Sequence, residues 1–241
     1  MATPTPEHFL QRAICARSSA ERIRYAREGL DLQKAERSVR FLLLRQCYRA
    51  YWIEKKFEEA LHIAEEMVEL EEMNEVAHQD AARAAIAWGD VEKAEGHLRC
   101  ALQAAPSERK GFHFWSLGSL FFLLQRYDEA IDVLEQAVRS SSGDLPLYAG
   151  HLALAQIAAG RDVGDLQERV DALMAAPSAK RYGSFILGHL AYAAGDHLVA
   201  KRFLNHFLRR LQAHPELQIS LRAEQLMTEA TLAKLETITR S

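Results

Sequence analysis

The chain has 241 residues, of which 49% are hydrophobic, and a formal net charge of −3 at pH 7. A chain of this length and composition can bury a large core, and its nearly balanced charge gives no general attraction to nucleic acid or to anionic membranes. The three cysteines, Cys15, Cys47 and Cys100, lie far apart in the sequence. This spacing argues against a disulfide framework or a zinc knuckle and favours a reducing compartment.

The start of the chain, MATPTPEHFLQRA, lacks the basic segment and apolar run of a secretory signal peptide. The longest strongly apolar run is LGSLFFLL, far shorter than the roughly 20 residues needed to cross a bilayer. We therefore expect a soluble, cytoplasmic protein that does not insert into a membrane.

Helical periodicity extends along nearly the whole chain, because apolar residues recur at spacings of three and four and alternating strand patterns are scarce. The pattern predicts an all-α protein. In chain order it gives an N-terminal helical pair at about 6–17 and 19–32, further helix pairs up to about 212, and a closing helix at 215–238. Pro215 suits the first turn of the closing helix, and we expect the apolar face of that helix to cover the last pair.

Internal repetition is the strongest signal in the sequence. Alanines that follow short turns recur about every 35 residues, at Ala60, Ala94, Ala130 and Ala200, and Asp165 falls at the corresponding place before the last of them. The region 114–137 carries the most complete pattern, which consists of Phe114, Leu117, Gly118, Phe121, Ala130, Leu134 and Ala137. This pattern resembles the tetratricopeptide repeat, and the resemblance covers about residues 37–212.

The resemblance implies a right-handed α-solenoid of about five to six helix-turn-helix repeats with a C-terminal capping helix. We therefore predict three parts of the chain. Residues 1–36 form a degenerate helical pair, residues 37–212 form the repeat array, and residues 213–241 form the capping helix and a tail.

Small residues give the pattern its physical meaning, because only a small side chain lets two helix backbones approach where they cross. On the first helices this place is taken by Ala82, Gly118, Ala153 and Gly188. Glycines suited to the left-handed conformation end three of the first helices, at Gly89, Gly160 and Gly195. Two departures stand out: Tyr48 in the small-residue place predicts a wider crossing, and Asp165 with Arg169 predicts a loosely packed second helix.

No catalytic motif emerges from the sequence. It contains no phosphate-binding glycine loop, no G-x-S-x-G and no H-E-x-x-H. His97 and Cys100 lie one helical turn apart, but no third metal ligand is evident. We predict no catalytic residue, no bound metal and no cofactor, and therefore a protein that is not an enzyme.

The concave groove of tetratricopeptide arrays is lined by first-helix residues, and the resemblance implies the same role for the matching positions here. The implied lining is basic at one end and aromatic toward the other: Arg45, Arg49, Gln79, Arg83, Phe112, Trp115, Ser119, Phe122, Tyr182, Phe185, His189 and Tyr192. It suits a peptide or helical segment of a partner protein, with acidic residues followed by apolar anchors. Alternatively, Trp115 and Phe122 only pack between adjacent helices, and Arg45 and Arg49 only pair with neighbouring acids.

The leading functional hypothesis is a non-enzymatic adaptor or scaffold that holds a segment of a partner protein. One alternative is a secretion or pilus-assembly chaperone that masks an apolar segment of a client. Another is an RNA-binding repeat protein that uses the basic stretch at 12–49, although the few aromatic residues there argue against nucleic acid. The contrast between this basic stretch and the acidic stretch at 54–75 would also allow a homodimer.

Overall fold

The computed structural model describes residues 4–32, 35–140 and 143–238, so the predicted tail beyond 238 lies outside the described residues. Within these ranges the chain forms α-helices and two short 3-10 turns, at Ser107–Arg109 and Pro177–Lys180, and no strand. The all-α prediction is confirmed. Among the described helices, none has both the length and the apolar content that a membrane span requires.

The helices fall into two compact units, the first ending at Ala104 and the second beginning at Ala105. The helices of the first unit are α1 (Pro6–Ile14), α2 (Ser19–Leu30), α3 (Arg37–Ile53), α4 (Phe57–Glu69), α5 (Asn74–Trp88) and α6 (Val91–Ala104). Those of the second are α7 (Lys110–Leu123), α8 (Tyr127–Arg139), α9 (Leu145–Ala158), α10 (Leu166–Ala175), α11 (Gly183–Ala193), α12 (His197–Ala213), α13 (Pro215–Ser220) and α14 (Arg222–Ile238).

Within each unit, consecutive helices pack as pairs, and each pair packs on the next. In the first unit the pairs are α1 with α2, α3 with α4, and α5 with α6; in the second they are α7 with α8, α9 with α10, and α11 with α12. Large apolar side chains fill the interiors, and those with almost no exposed surface include Phe41, Met67, Phe121, Phe185 and Phe207. Full burial of one such side chain stabilises the fold by roughly 1.5–3 kcal/mol. The helix pairs expected from the repeats are therefore present.

Close helix crossings occur where the small residues were predicted. A Cβ atom added to Gly118 would lie 2.6 Å from Cγ of Leu134 on the partner helix. One added to Gly188 would lie 2.5 Å from Cδ2 of Leu204. The alanines on the second helices are fully buried, at Ala60, Ala94, Ala130 and Ala200. The small side chains are thus what allows the helices of each pair to pack closely.

The turns after the first helices use a left-handed residue, as predicted, at Gly89, Gly160 and Gly195. In two other pairs the left-handed position is held by a residue with a side chain, Lys55 or Gln125, each with φ of 60°. A left-handed conformation costs about 1–2 kcal/mol for most residues other than glycine. These two turns therefore carry local backbone strain.

Replacing Gln125 by glycine should relieve this strain. We expect Gln125→Gly to raise the free energy of unfolding by about 0.5–1 kcal/mol, because glycine adopts positive φ freely. Urea denaturation followed by far-UV circular dichroism measures the change. Gln136→Gly on an exposed position of α8 is the matched control and should lower the same free energy by about 1 kcal/mol. Destabilisation by both substitutions would contradict the assignment of strain to Gln125.

The register predicted for the α9–α10 pair is wrong by one helical turn. Asp165 is not in the alanine position; its side chain caps α10 by accepting a hydrogen bond from the Glu168 backbone N–H at 3.0 Å. Asp196 caps α12 in the same way. The turn before α10 is longer than the turn before α12, so the fourth residue of the helix, which matches Ala200, is Arg169. α10 buries only Val170 and Leu173, as expected of a loosely packed second helix.

The closing segment is two helices, α13 and α14, and α14 packs against α11 and α12. The expectation that it would bury an apolar face is wrong. Its buried residues on that side are mostly polar, namely Glu224, Thr228 and Thr231 with Leu235, whereas Leu226 is 50% exposed. The reason is that polar side chains of the preceding helix pair meet them, Tyr182 just before α11 and His189 on α11.

Candidate functional site

Basic residues converge in the first unit on a cleft of about 210 Å³, which we call the arginine cleft. Helix α3 supplies most of its wall, because residues spaced by three and four share one face of a helix. Helix α2 adds Arg22, and α5 adds one acid and one base. The lining residues are Arg22, Arg45, Tyr48, Arg49, Trp52, Ile53, Asp80 and Arg83. Three of the predicted groove residues, Arg45, Arg49 and Arg83, thus meet at one place, whereas Gln79 is half-buried on α5 and does not line the cleft.

The charges of the arginine cleft are unbalanced. Nε of Arg45 lies 2.8 Å from Oδ2 of the buried Asp80. The guanidinium carbon of Arg83 lies 4.9 Å from the ring centroid of Trp52, within reach of a cation–π interaction. Arg49 is exposed. Four guanidinium groups therefore share the cleft with one carboxylate, and the cleft attracts anions.

Tyr48 contributes a hydroxyl group without a partner. The side chain is 4% exposed, and its oxygen has no hydrogen-bond partner among the described residues. Burial raises the pKa of Tyr48 well above its usual value, so the hydroxyl stays protonated and can donate. A buried polar group left unpaired costs about 1–3 kcal/mol. An anion in the cleft would supply the missing acceptor.

Aromatic residues of the second unit form a contiguous aromatic cluster, consisting of Trp115, Phe122, Tyr148, His151, Tyr182, Phe185 and His189. The ring centroids of Trp115 on α7 and Tyr182, just before α11, are 5.4 Å apart. Those of Phe122 and His151 are 5.0 Å apart. Predicted groove residues from two repeats thus contact one another directly or through α9.

Burial divides the predicted aromatic lining. Phe122, Phe185 and His189 are 3%, 0% and 7% exposed, so they support the wall and present little surface to a partner. Phe112 is 41% exposed. Four other predicted lining residues are half-buried, namely Trp115, Ser119, Tyr182 and Tyr192. Among the predicted aromatic lining, Phe112 therefore presents the most surface to a partner.

Hydrogen bonds fix the ring of His151 inside the aromatic cluster. The Ser119 hydroxyl donates to the Trp115 carbonyl at 2.7 Å and lies 3.2 Å from Nδ1 of His151. Because that hydroxyl has one proton, we assign the imidazole proton to Nδ1, which then donates to Ser119. Nε2 of His151 is left buried without a hydrogen-bond partner among the described residues. Burial lowers the pKa of His151 to about 3, so the ring is neutral.

Buried polar side chains also join α14 to α11 and to Tyr182, the residue before α11. The Tyr182 hydroxyl donates to Oε1 of Glu224 at 3.1 Å, and Oγ1 of Thr231 lies 3.4 Å from Nδ1 of His189. Burial raises the pKa of Glu224 to about 7 and lowers that of His189 to about 4. Oε2 of Glu224 and Oγ1 of Thr228 are buried without hydrogen-bond partners in the described chain. Sequence periodicity gave no signal for this buried polar contact.

His97 pairs with a second histidine rather than with Cys100. Its Nδ1 lies 3.0 Å from Nδ1 of His78, so one ring donates to the other, and burial lowers the pKa of both. Cys100 is exposed. Across the part of the chain that the structure describes, no group of three or more His, Cys, Asp or Glu side chains is placed to hold a metal ion.

Comparison with known proteins agrees with this architecture. Residues 114–144 match the family model of the tetratricopeptide repeat. No curated protein sequence matches the chain significantly. The fold is similar to that of pilF from Pseudomonas aeruginosa, with a TM-score of 0.62 and 13% identity over 93% of this chain and 97% of that one.

Two further solved structures share the fold. A Rap protein complexed with competence and sporulation factor gives a TM-score of 0.62 and 16% identity over 96% of this chain and 70% of that one. The apo form of RapI gives a TM-score of 0.59 and 13% identity over 93% of this chain and 84% of that one. At such identities the likeness concerns the fold alone. With its paired helices and its small residues at the crossings, the chain has the architecture of tetratricopeptide repeat proteins, and residues 114–144 form a tetratricopeptide repeat.

Proposed function

We propose that this protein is a non-enzymatic interaction scaffold that binds an acidic segment of a partner protein in the arginine cleft. The observation that carries the proposal is the charge imbalance of the cleft, with four guanidinium groups against the single carboxylate of Asp80. A carboxylate of the partner would neutralise part of this excess positive charge. It would also accept charge-assisted hydrogen bonds from Arg49 or Arg83, which are among the stronger hydrogen bonds in proteins.

Apolar surface next to these charges supports a mixed acidic and apolar ligand. Ile53 lines the arginine cleft and is 53% exposed, and Leu42 on the same helix is 37% exposed. An acidic residue of the partner would set its orientation, and a following apolar residue would add affinity by covering Ile53. The complex of a similar Rap protein with competence and sporulation factor supports a binding role for this fold.

The two other functions make different demands on the arginine cleft. An RNA-binding site needs open ring faces on which bases stack, but Trp52 and Tyr48 are 7% and 4% exposed. A chaperone for an apolar client would use Ile53 and Leu42 without the arginines. Binding to such a client would therefore depend little on salt, whereas binding to an acidic segment would weaken as salt screens the charges.

A pair of labelled peptides tests the proposal. One peptide contains Asp-Asp-Leu-Phe and the other Asn-Asn-Leu-Phe, and fluorescence anisotropy measures their Kd for the full chain. We expect micromolar binding of the acidic peptide and a Kd at least about tenfold higher for the amide peptide. Arg49→Gln with Arg83→Gln should raise the Kd of the acidic peptide by a similar factor. Arg37→Gln with Arg222→Gln removes the same charge from exposed positions outside the cleft and should leave the Kd unchanged.

Equal binding of the two peptides would refute recognition of the acid. If both bind equally and salt has no effect, the apolar client of the chaperone hypothesis becomes the better assignment. If the control variant weakens binding as much as the cleft variant, the attraction is general and the arginine cleft is not the site.

Tyr48→Phe should change stability and affinity in opposite directions. Removing the unpartnered hydroxyl relieves its desolvation, so we expect the free energy of unfolding of the free protein to rise by about 1 kcal/mol. The same change removes a donor for the bound acid and should raise the peptide Kd several-fold. Urea denaturation and the anisotropy assay measure the two effects. A loss of stability would show that the hydroxyl has a partner in the free protein.

A further inference from the structure

A second basic site lies in the second unit, apart from the aromatic cluster and on different helices. It is a pocket of about 760 Å³ between the end of α10, the 3-10 turn Pro177–Lys180 and α12. Pockets of roughly 300–1,000 Å³ are typical of small-molecule sites. Six of its lining residues matter for its chemistry: Met174, Lys180, Arg202, Phe203, His206 and Arg209.

Among the described residues, the lining of this basic pocket contains three permanent cations and no acid. Lys180, Arg202 and Arg209 are exposed, and none of them forms a salt bridge with any described residue. Nε of Arg209 donates to the Asn205 carbonyl at 3.4 Å, which leaves its remaining N–H groups free. Uncompensated cations that surround one concavity raise the local concentration of anions. The pocket is therefore suited to an anionic ligand.

The spacing of the cations favours a ligand with more than one negative charge. Arg202, His206 and Arg209 follow one another at four and three residues, so they share one face of α12. The two arginines begin about 10 Å apart along the helix axis. Lys180 belongs to the 3-10 turn, and its carbonyl lies 3.2 Å from Nε2 of His206. One carboxylate is too small to reach all three cations, whereas adjoining phosphates match the planar fork of each arginine.

The rest of the wall is apolar. Met174 is 40% exposed, and Phe203 packs beneath the guanidinium of Arg202 at 5.4 Å from its ring centroid. A ring or hydrocarbon group bound beside the phosphates would cover Met174 and remove apolar surface from water. The wall thus accommodates both halves of an organic phosphate.

We propose that this basic pocket binds an organic phosphate that carries at least two phosphate charges beside a ring, such as a nucleoside diphosphate. Arg202 and Arg209 hold the phosphates, Lys180 of the 3-10 turn neutralises them further, and Met174 contacts the ring. The site is independent of the arginine cleft, and its test does not depend on peptide binding.

Isothermal titration calorimetry with the full chain tests the proposal, at an ionic strength matched with KCl. ADP should bind at one site with a Kd below about 1 mM, inorganic pyrophosphate about tenfold more weakly, and adenosine without measurable heat. Arg202→Gln with Arg209→Gln should raise the Kd for ADP at least about tenfold. Because both positions are exposed, we expect the variant to fold normally. An unchanged thermal melting temperature would confirm this. Arg37→Gln with Arg222→Gln is the matched control and should bind ADP as the wild type does.

The opposite results would overturn the assignment. These are a titration with ADP that does not saturate, adenosine that binds as well as ADP, or an equal loss of affinity in the control variant. Vesicles containing phosphatidate and a single-stranded RNA oligonucleotide are tested by co-sedimentation and filter binding. If either binds through Arg202 and Arg209 while ADP does not, the small-molecule assignment is wrong.

Discussion

Glu224→Gln should make the second unit more stable at pH 8 by about 3 kcal/mol while changing little at pH 4.5. Burial raises the pKa of Glu224 from 4.5 to about 7, so the folded protein holds a proton that the unfolded chain has already released. The stabilisation from that proton is complete below pH 4.5 and is lost as pH rises through about 7. Each unit of pKa shift corresponds to about 1.4 kcal/mol. Glutamine stays neutral and still offers an oxygen to the Tyr182 hydroxyl.

The two buried histidines, His151 and His189, change the stability in the opposite direction as the pH rises. Burial lowers the pKa of His151 to about 3 and of His189 to about 4, from the ordinary histidine value of 6.5. Their contribution to stability is present above pH 6.5 and is lost as pH falls toward 4 and 3. We therefore compare the variant with the wild type at each pH, because the histidine contributions are common to both and cancel in the difference.

Urea denaturation from pH 4.5 to 8, followed by circular dichroism, measures this difference. Hydrogen exchange detected by mass spectrometry shows whether the change in stability is located in α11 and α14. Glu229→Gln, at an exposed position of the same helix, is the control and should leave the pH profile of the wild type unaltered. A constant offset between Glu224→Gln and the wild type at every pH would contradict a raised pKa at Glu224.

Gly188→Ala should lower the free energy of unfolding by about 1–3 kcal/mol, although alanine is the better helix former. The added Cβ would lie 2.5 Å from Cδ2 and 3.1 Å from the backbone N of Leu204. The side chain can rotate away, but the backbone atom moves only if α12 shifts. Overpacking therefore outweighs the gain in helix propensity of about 1 kcal/mol.

Gly96→Ala is the matched control for this crossing. Gly96 also lies in the interior of a helix, α6, but nothing lies within 4 Å of a Cβ built there. We expect this substitution to raise the free energy of unfolding by about 0.5–1 kcal/mol. Urea denaturation followed by circular dichroism measures both variants. The same sign of change in both would show that the α11–α12 crossing is not limited by close packing.

The helix pairs could be predicted from the sequence because their determinants are local. Apolar spacing defines each helix, and a small residue such as Gly188 marks the crossing one repeat at a time. The register of α10 could not be predicted in this way, because Asp165 and Arg169 both depart from the repeat pattern. Only the length of the preceding turn shows which of the two occupies the alanine position. A shift of four residues keeps the same helix face, so periodicity alone does not detect it.

The candidate site was predictable only in part, for a similar reason. Arg45, Arg49 and Arg83 were assigned from their places in the repeat. Their convergence depends on which residues of α3 and α5 face each other, and so does the pairing of Arg45 with Asp80. The buried polar face of α14 violates the rule that polar residues face water. Its partners, Tyr182 and His189, are distant in sequence, so only the folded arrangement shows why the exception is tolerated.

The position of Trp115 gives the second unit an optical reporter of its own. Trp52 and Trp88 belong to the first unit, so Trp115 is the single indole beyond Ala104. Its Nε1 is buried without a hydrogen-bond partner in the described chain, and its ring contacts Tyr148, His151 and Tyr182. In a variant with Trp52 and Trp88 replaced by phenylalanine, the wavelength of the tryptophan fluorescence maximum would report the hydration of the aromatic cluster. Opening of the second unit could then be followed in real time without an attached dye.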